Sequence, residues 1–439
     1  MNMSLLDAIR YTLCAILYSV PFTIPSFLCY TNDVEKPKMR WIEAHPVMHE
    51  GREAVLIRDG EGITENPLIV SKDVVYLLSL MDGTRSLRDI QVEYMRAFGE
   101  LIYIERIQEL VETLNVNLFL LNDHYKNYYE KLKEEYEQAH IRKPYLSGKS
   151  YPENKDELLV FLDEMFQATA HGESKGDITG ILAPHIDYAR GKEVYRDTYP
   201  YIKHIDKPLL IIFGTSHQPT DKIWNISLKD FSTPLGIIHN SKELGRLIRN
   251  NPVLKEYIAE WPHRNEHSIE LQLPVIQFLA AGKNIEILPI LTGSMHDYMT
   301  GQKHMEDEEI MSITESFQEL LNVYGKPYIV ISGADLAHIG VQFGDIHPLD
   351  FFTLNQSQDK DEAILNRIRN VDASGFFNTI QDEKDVRRIC GLTPIYFQLN
   401  LLSGSQCEVV SYKQWTDGKS SVSFAGGIFY QESAKPGKQ

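Results

Sequence analysis

Short apolar runs alternate with helical patterns along the chain after residue 143. Four of these runs predict buried strands, at 178–182, 209–213, 285–291 and 328–332. Between the runs, apolar residues recur every three or four positions and predict helices, notably at 241–250, 268–280 and 311–324. Strands that alternate with helices form a mostly parallel sheet that helices cover on both faces. The sequence therefore predicts an α/β domain over 143–435.

The pattern before residue 143 predicts a smaller α+β domain over 40–122, followed by a charged helical linker over 123–142. The predicted elements are a strand at 53–58, helices at 70–81, 87–98 and 102–114, and a strand at 115–121. Ser86 and Asp89 have the spacing of a capping box, which marks the start of the second helix. Three short helices followed by a strand are typical of a winged helix.

Charge argues against nucleic acid as the partner of this winged-helix-like domain. Its third helix carries Glu105, Glu109 and Glu112 against a single Arg106, so this helix would repel phosphate. The whole chain has a formal net charge of −17, whereas a broad nucleic-acid surface needs a positive footprint. We therefore expect no nucleic-acid partner.

The first 39 residues and the cysteines bear on the compartment in which the protein works. A mostly apolar, uncharged run at 11–30 has the length of a membrane anchor, but Pro21 and Pro25 interrupt it. We interpret 1–39 as an uncertain N-terminal extension, with Met39 as the expected start, rather than as an anchor. The chain has 4 cysteines and no CxxC pair, which is typical of a reducing, cytoplasmic location.

Polar residues follow three of the predicted strands of the α/β domain. His185 comes after the first strand, His217 after the second, and Asp335 with His338 after the fourth. One histidine after a strand is commonly a hydrogen-bonded loop residue, but the carboxyl ends of parallel strands meet at one sheet edge, where ligands bind. Convergence of three histidines therefore indicates a site. Their polar neighbours are candidates to support this site or to contact a substrate, namely Asp187, Tyr188 and Ser216.

Cys390 precedes an apolar helix predicted over 395–402, and Arg387 and Arg388 stand just before it. A helix N-terminus and nearby guanidinium groups stabilise a thiolate, which is the form that binds metals. The alternative is a small buried core residue, which is what most free cysteines are.

A further polar cluster contains Glu266, His267 and Glu270, of which the last two share a helical face at i, i+3 spacing. The arrangement is not a zinc-protease motif. We expect these three residues to orient metal ligands rather than to bind the metal themselves.

Eight short motifs make the C-terminal domain resemble the Memo family, whose microbial members are called AmmeMemoRadiSam system protein B. In chain order they are SGKSYP (147–152), APHIDY (183–188), GTSH (214–217), STPLG (232–236), EHSIELQLP (266–274), ILPILTG (287–293), GADLAHIG (333–340) and ICGLTPI (389–395). They follow the family's order.

The resemblance implies a fold similar to that of class III extradiol dioxygenases, which use non-haem iron. It implies that His185, His217 and Cys390 bind one transition metal ion, iron or copper in preference to zinc, and that His338 and Asp335 are catalytic residues of the same pocket. The dioxygenases have a carboxylate in place of the cysteine, and a soft thiolate favours copper(I), zinc or thiolate-bound iron. Cleavage of a catechol ring is therefore not expected.

The N-terminal domain resembles a PqqD-like winged-helix module through its segments at 67–70, 77–80 and 81–87. In such modules a peptide adds as a strand to the sheet edge. The resemblances imply peptide binding here, and radical-SAM and AMMECR-like proteins as partners. A docking or dimerisation domain is the alternative.

These observations together predict a redox or oxygenase-like enzyme that uses a non-haem metal and acts in peptide or protein modification. Two alternatives stay open from the sequence. One is a non-catalytic adaptor that binds a peptide or a metal, and the other is a zinc-dependent hydrolase, which needs an open coordination position.

Overall fold

The computed structural model describes residues 35–167, 176–204, 209–304 and 308–431. The chain divides into two compact units between Glu135 and Tyr136. The apolar run at 11–30 lies outside the described residues. No helix in the described ranges has the length and hydropathy to cross a membrane.

The first unit contains a three-stranded antiparallel sheet and a group of helices. Its strands, in the sheet order β1-β2-β3, are Glu43–His49 (β1), Arg52–Arg58 (β2) and Leu68–Val70 (β3). Its helices are Lys72–Leu80 (α1), Leu87–Phe98 (α2), Ile104–Val116 (α3) and Asp123–Gln138 (α4), the last of which contains the division between the units. Ile90, Ile107 and Val111 are fully buried at the centre of this core.

The helices of this unit lie where the sequence predicts them, but the strands differ. The capping box is confirmed, because Asp89 N donates to Ser86 Oγ at 3.2 Å and Ser86 N donates to Asp89 Oδ2 at 2.9 Å. β1 and β3 are additions to the predicted elements. The strand predicted at 115–121 is wrong, because α3 continues to Val116 and Leu118 then turns the chain with a φ of 62°.

The second unit is built on one large mixed sheet. Its strands are Ile141–Arg142 (β4), Asp177–Ala183 (β5), Leu209–Thr215 (β6), Trp224–Ile226 (β7), Asp230–Thr233 (β8), Gly236–Asn240 (β9), Glu286–Thr292 (β10), Tyr328–Gly333 (β11), His338–Gly340 (β12), Gln406–Thr416 (β13) and Ser420–Gln431 (β14). Their order is β12-β14-β5-β11-β6-β10-β9-β8-β4, with β13 paired to β14 and β7 to β10. The central strands β5, β11, β6 and β10 run parallel.

Helices connect these strands. They are Lys155–Phe166 (α5), Tyr188–Thr198 (α6), Lys242–Asn250 (α7), Leu273–Leu279 (α8), His296–Met299 (α9), Glu308–Tyr324 (α10), Phe351–Arg369 (α11), Ala373–Asp382 (α12) and Leu392–Leu401 (α13). Short 3-10 helices lie at Tyr199–His204, Leu254–Tyr257, Trp261–His263, Glu270–Gln272 and Val341–Phe343. The helix predicted at 268–280 is α-helical only from Leu273.

Successive residues of β6 pack on opposite faces of the sheet. Ile211 and Phe213 share one apolar cluster with Phe397 of α13, whereas Ile212 belongs to another with Val275 of α8. Alternation of this kind is what a strand buried on both faces requires. The predicted fold class, a mostly parallel sheet with helices on both faces preceded by a small α+β unit, is confirmed.

Candidate metal centre

Three neighbouring strands of the large sheet end level with one another. Gly333 of β11 lies opposite Ala183 of β5 and opposite Gly214 of β6. The segments that follow β5 and β6 carry His185 and His217, so the register of the sheet brings both imidazoles to the same edge. Their ring centroids are 5.1 Å apart. The convergence that the sequence predicts is present.

Glycine is needed at two of these strand ends because another segment crosses them closely. A Cβ atom on Gly214 or on Gly333 would collide with Ser268. The Ser268 hydroxyl also donates to the Thr215 carbonyl at 2.8 Å. These contacts fix the segment that carries Glu266 and His267 against the strand ends.

Cys390 reaches the same edge from the segment that precedes α13. Its carbonyl accepts a hydrogen bond from Thr215 Oγ1 at 2.7 Å, and its Sγ lies 3.3 Å from His185 Nε2. One donor atom each from His185, His217 and Cys390 lie within 4.8 Å of one another. This spacing suits bonds of about 2.0–2.3 Å to a single ion. The structure thus brings together the three residues that the sequence analysis expects as ligands.

Both histidines use Nδ1 for a bond to the protein. His185 Nδ1 lies 2.9 Å from the Gly333 carbonyl oxygen, and His217 Nδ1 lies 3.0 Å from Glu266 Oε1. Each ring therefore leaves Nε2 to bind a metal, which is the orientation that metal-bound histidines usually have. The Gly333 carbonyl is a functional group that sequence reasoning missed, because a main-chain acceptor leaves no residue pattern.

Glu266 is a buried carboxylate that holds this part of the site together. It accepts hydrogen bonds from the main-chain N of His217 at 2.7 Å, of His267 at 2.7 Å and of Ser268 at 3.0 Å. Burial would raise the pKa of Glu266, but the rings of His217 and His267 hold it well below its ordinary range. Desolvation would lower the pKa of His217, but the charge and the hydrogen bond of Glu266 raise it. Its geometry fits the expected role of orienting a ligand.

His267 and Glu270 have different surroundings, contrary to the shared helical face that the sequence predicts. His267 stacks on His217 with ring centroids 4.5 Å apart, and its Nδ1 lies 3.1 Å from Glu266 Oε1. The expectation for Glu270 is wrong, because its carboxylate accepts bonds from Arg142, from the main chain of 145–146 and from Tyr151. Glu270 therefore anchors the segment at 142–151 instead of orienting a metal ligand.

Asp335 and His338 lie on the Cys390 side of the cluster. Asp335 Oδ1 accepts a hydrogen bond from His185 N at 2.9 Å, and one donor atom each from Asp335, His338 and Cys390 lie within 4.8 Å of one another. His338 Nδ1 lies 3.1 Å from the Leu336 carbonyl oxygen. Burial lowers the pKa of His338 despite the opposing effect of Asp335, so this imidazole is neutral at pH 7.

The remaining predicted residues act within the fold. Asp187 caps α6, with Arg190 N donating to its Oδ1 at 3.0 Å. Tyr188 is fully buried and its hydroxyl donates to the Leu271 carbonyl, so of its two expected roles the structure fits support of the site and not contact with a substrate. The Ser216 hydroxyl donates to a main-chain carbonyl of its own loop at 2.9 Å.

The expected thiolate at Cys390 is also wrong for the protein without metal. Burial, followed by the negative charge of Asp335, raises the pKa of the thiol well above its ordinary value. The arginines do not oppose this effect, because Arg387 pairs with Asp361 and Arg388 with Asp345. A metal at this position would therefore have to displace a proton from sulfur.

Comparisons with known proteins agree with the eight sequence motifs between residues 147 and 395. A family model described as Memo-like protein matches residues 142–428, which is more than half of the chain. A MEMO1 family protein of Aquifex aeolicus is 28% identical over 407 residues, covering 90% of this chain and 100% of the relative. A MEMO1 family protein of Methanosarcina barkeri is 26% identical over 276 residues, covering 62% of this chain and 92% of the relative. One of Pyrococcus horikoshii is 30% identical over 251 residues, covering 55% of this chain and 81% of the relative.

Among solved structures, an uncharacterised protein of Escherichia coli K12 aligns with 57% of this chain and 99% of its own. Its identity is 9% and its TM-score is 0.28, a likeness too weak to support a relationship in fold. The family assignment rests on the match over 142–428. The similarity to the Aquifex relative also extends into the first unit. The chain belongs to the family of Memo-like proteins.

Proposed function

We propose that this Memo-like protein is a redox or oxygenase-like enzyme that uses a non-haem metal and works in peptide or protein modification. The observation that carries the proposal is the convergence of His185 Nε2, an oriented His217 and Cys390 Sγ at one sheet edge. Two imidazoles and one sulfur suit a single transition metal ion. Three protein ligands leave room for a water or substrate, which is the arrangement of catalytic sites.

The sulfur ligand bears on the choice of metal. A thiolate with two imidazoles favours copper(I), zinc or thiolate-bound iron, and of these we propose iron or copper, the metals that the resemblance to the Memo family implies. Such an ion would supply one-electron chemistry when bound. The neutral His338 and the buried Asp335 would accept, hold or orient protons of a substrate beside it. A fold related to the extradiol dioxygenases is part of this proposal.

We extend the proposal to the first unit, as a PqqD-like module that receives a peptide. Within the described residues its outer strands β1 and β3 each pair on one side only, and they carry the exposed apolar side chains of Met48 and Ile69. An extended peptide pairs with an edge of this kind. The proposed setting is a cytoplasmic AmmeMemoRadiSam system, with radical-SAM and AMMECR-like proteins as partners.

Elemental analysis of the full chain, purified without oxygen, tests the proposal. We expect about one iron or copper ion per chain. With ascorbate as the electron donor, the loaded protein should consume oxygen in air, and a His338→Gln variant should consume it more slowly with unchanged metal content. A His239→Gln variant is the control, because His239 is an exposed histidine on β9. Absence of metal, or zinc alone, would contradict the proposal.

Glu266 should contribute to metal affinity through His217. The Glu266→Gln variant is expected to bind metal roughly 10- to 100-fold more weakly, because the amide no longer fixes the ring with a charged acceptor. Competition with a chromogenic chelator measures this change. Glu260→Gln is the matched control, since Glu260 accepts bonds from Ser227 and Leu228 and takes no part in the cluster. Equal affinities for both variants would remove the orienting role.

A further inference from the structure

Gln272 is a fully buried residue of the EHSIELQLP motif, on the short 3-10 helix that precedes α8. Its amide nitrogen donates to two main-chain carbonyls, that of Pro184 at 3.0 Å and that of Ser268 at 2.9 Å. Its amide oxygen accepts a hydrogen bond from the hydroxyl of Tyr199 at 2.5 Å. A glutamine amide offers two N–H protons, and here each has an acceptor. The side chain thus joins two segments that are far apart in the chain.

Each of the two carbonyls belongs to a segment that positions a histidine of the proposed metal centre. The first carbonyl directly precedes His185 in the chain. The second belongs to Ser268. The main-chain N of that residue donates to Glu266 Oε1 at 3.0 Å, and this oxygen also lies 3.0 Å from His217 Nδ1. One bond of Gln272 therefore holds the segment of His185, and the other holds the segment whose carboxylate orients His217.

The amide of Gln272 lies against the end of β11, directly beside the cluster. A Cβ atom on Gly333 would be 2.7 Å from Gln272 Nε2, so a glycine at this position leaves the room that the amide needs. The carbonyl oxygen of Gly333 lies 2.9 Å from His185 Nδ1. The strand end that accommodates the amide is therefore the same one that orients the imidazole of His185.

We infer that Gln272 is a positioning residue that sets the separation of His185 and His217 at the metal. It acts through its neighbours and is not itself a ligand. Without the amide, the carbonyls of Pro184 and Ser268 lose a buried donor, and their two segments lose the side chain that they share. The imidazoles are then held less firmly relative to each other, so the ligand set is less well organised for one ion. This inference rests on the proposed metal centre.

Gln398 of α13 offers a matched control, because it makes the same kind of bridge at another place in the sheet. It is fully buried, and its amide nitrogen donates to the carbonyls of Ile181 at 2.8 Å and Val330 at 2.9 Å. These carbonyls lie inside β5 and β11 rather than in the segments that follow the strands. Replacing Gln398 removes two buried hydrogen bonds, as replacing Gln272 does, but it leaves the bridge beside the cluster intact.

Titration of the full-length protein with Co²⁺ tests the inference. Methionine is the replacement, because it is similar in length to glutamine and has no N–H group to donate. We expect Gln272→Met to bind Co²⁺ roughly 10-fold more weakly than the wild type, at the lower end of the loss for residues that orient metal ligands. Its visible absorption bands, which depend on coordination geometry, should shift or weaken. Gln398→Met should keep the wild-type affinity and spectrum, although thermal unfolding should show a similar loss of stability in both variants.

A second variant decides the question if Gln272→Met does not fold. Tyr199→Phe keeps the aromatic ring but removes the hydroxyl that holds the amide oxygen of Gln272. It should change the Co²⁺ spectrum in the same direction and to a smaller extent. A spectrum and an affinity equal to those of the wild type would then overturn the inference.

The possible results separate the inference from the proposed function. If the wild type takes up Co²⁺ and Gln272→Met equals it in affinity and spectrum, the inference is overturned and the metal centre stands. The same holds if Gln272→Met and Gln398→Met lose affinity to the same extent, because the loss then reflects the stability of the sheet as a whole. If the wild type takes up no Co²⁺, the metal centre itself is refuted and the inference falls with it.

Discussion

The Cys390→Ser variant is expected to bind its metal more than about 100-fold more weakly than the wild type. Removal of a residue that only orients a metal ligand typically costs about 10- to 100-fold in affinity, and loss of the ligand itself should cost more. The thiolate would be the one anionic ligand of the proposed set, and a serine hydroxyl does not ionise in its place. Elemental analysis and chelator competition measure the loss. Cys407→Ser is the control, since Cys407 is a half-buried free cysteine on β13.

The same variant should lose a dependence of metal affinity on pH. Burial and Asp335 raise the pKa of the Cys390 thiol, so the metal-free protein holds the protonated form at neutral pH. Binding then releases one proton, and the apparent affinity should rise by about tenfold for each unit of pH below that pKa. The serine variant should show a shallower slope. Equal metal content in the two proteins, or equal slopes, would contradict Cys390 as a ligand.

The location of the candidate site could be predicted because it depends on a rule of sheet geometry. His185 and His217 follow parallel strands, and strands in register present whatever follows them at one edge. The position of Cys390 has no such basis, since Cys390 joins the cluster through contacts with residues far away in the chain, such as Thr215. Only the family motif predicts that Cys390 joins the two histidines.

Neighbours along the chain do not predict the electrostatic surroundings of the site. The arginines beside Cys390 suggested a stabilised thiolate, but each forms an ion pair with an aspartate from a distant segment. Glu270 resembled a partner of His267 by spacing, yet the helix that would align them begins only at Leu273. In both cases a neighbour along the chain is not a neighbour in space, and periodicity alone does not reveal which charges are already paired.

Arg142→Met is expected to lower the free energy of unfolding of the protein by about 3–5 kcal/mol. The side chains of Arg142 and Glu270 are both fully buried and form an ion pair. Arg142 also donates to the carbonyl oxygens of His263 at 3.0 Å and Glu266 at 2.7 Å. Methionine fills similar space but leaves the carboxylate of Glu270 buried without its counter-charge, which is the costly part of breaking a buried pair.

Urea denaturation measures this loss, and two comparisons identify its cause. Arg369→Met removes an ion pair with Glu362 whose side chains are 35% and 54% exposed, and it should cost at most about 1 kcal/mol. The double variant Arg142→Met with Glu270→Gln should lose less stability than the sum of its single variants, because neither partner is then a buried lone charge. Additive losses would show instead that Arg142 acts mainly through its bonds to the carbonyls of His263 and Glu266. In that case metal affinity should fall in parallel with stability, since the Glu266 segment also holds His217.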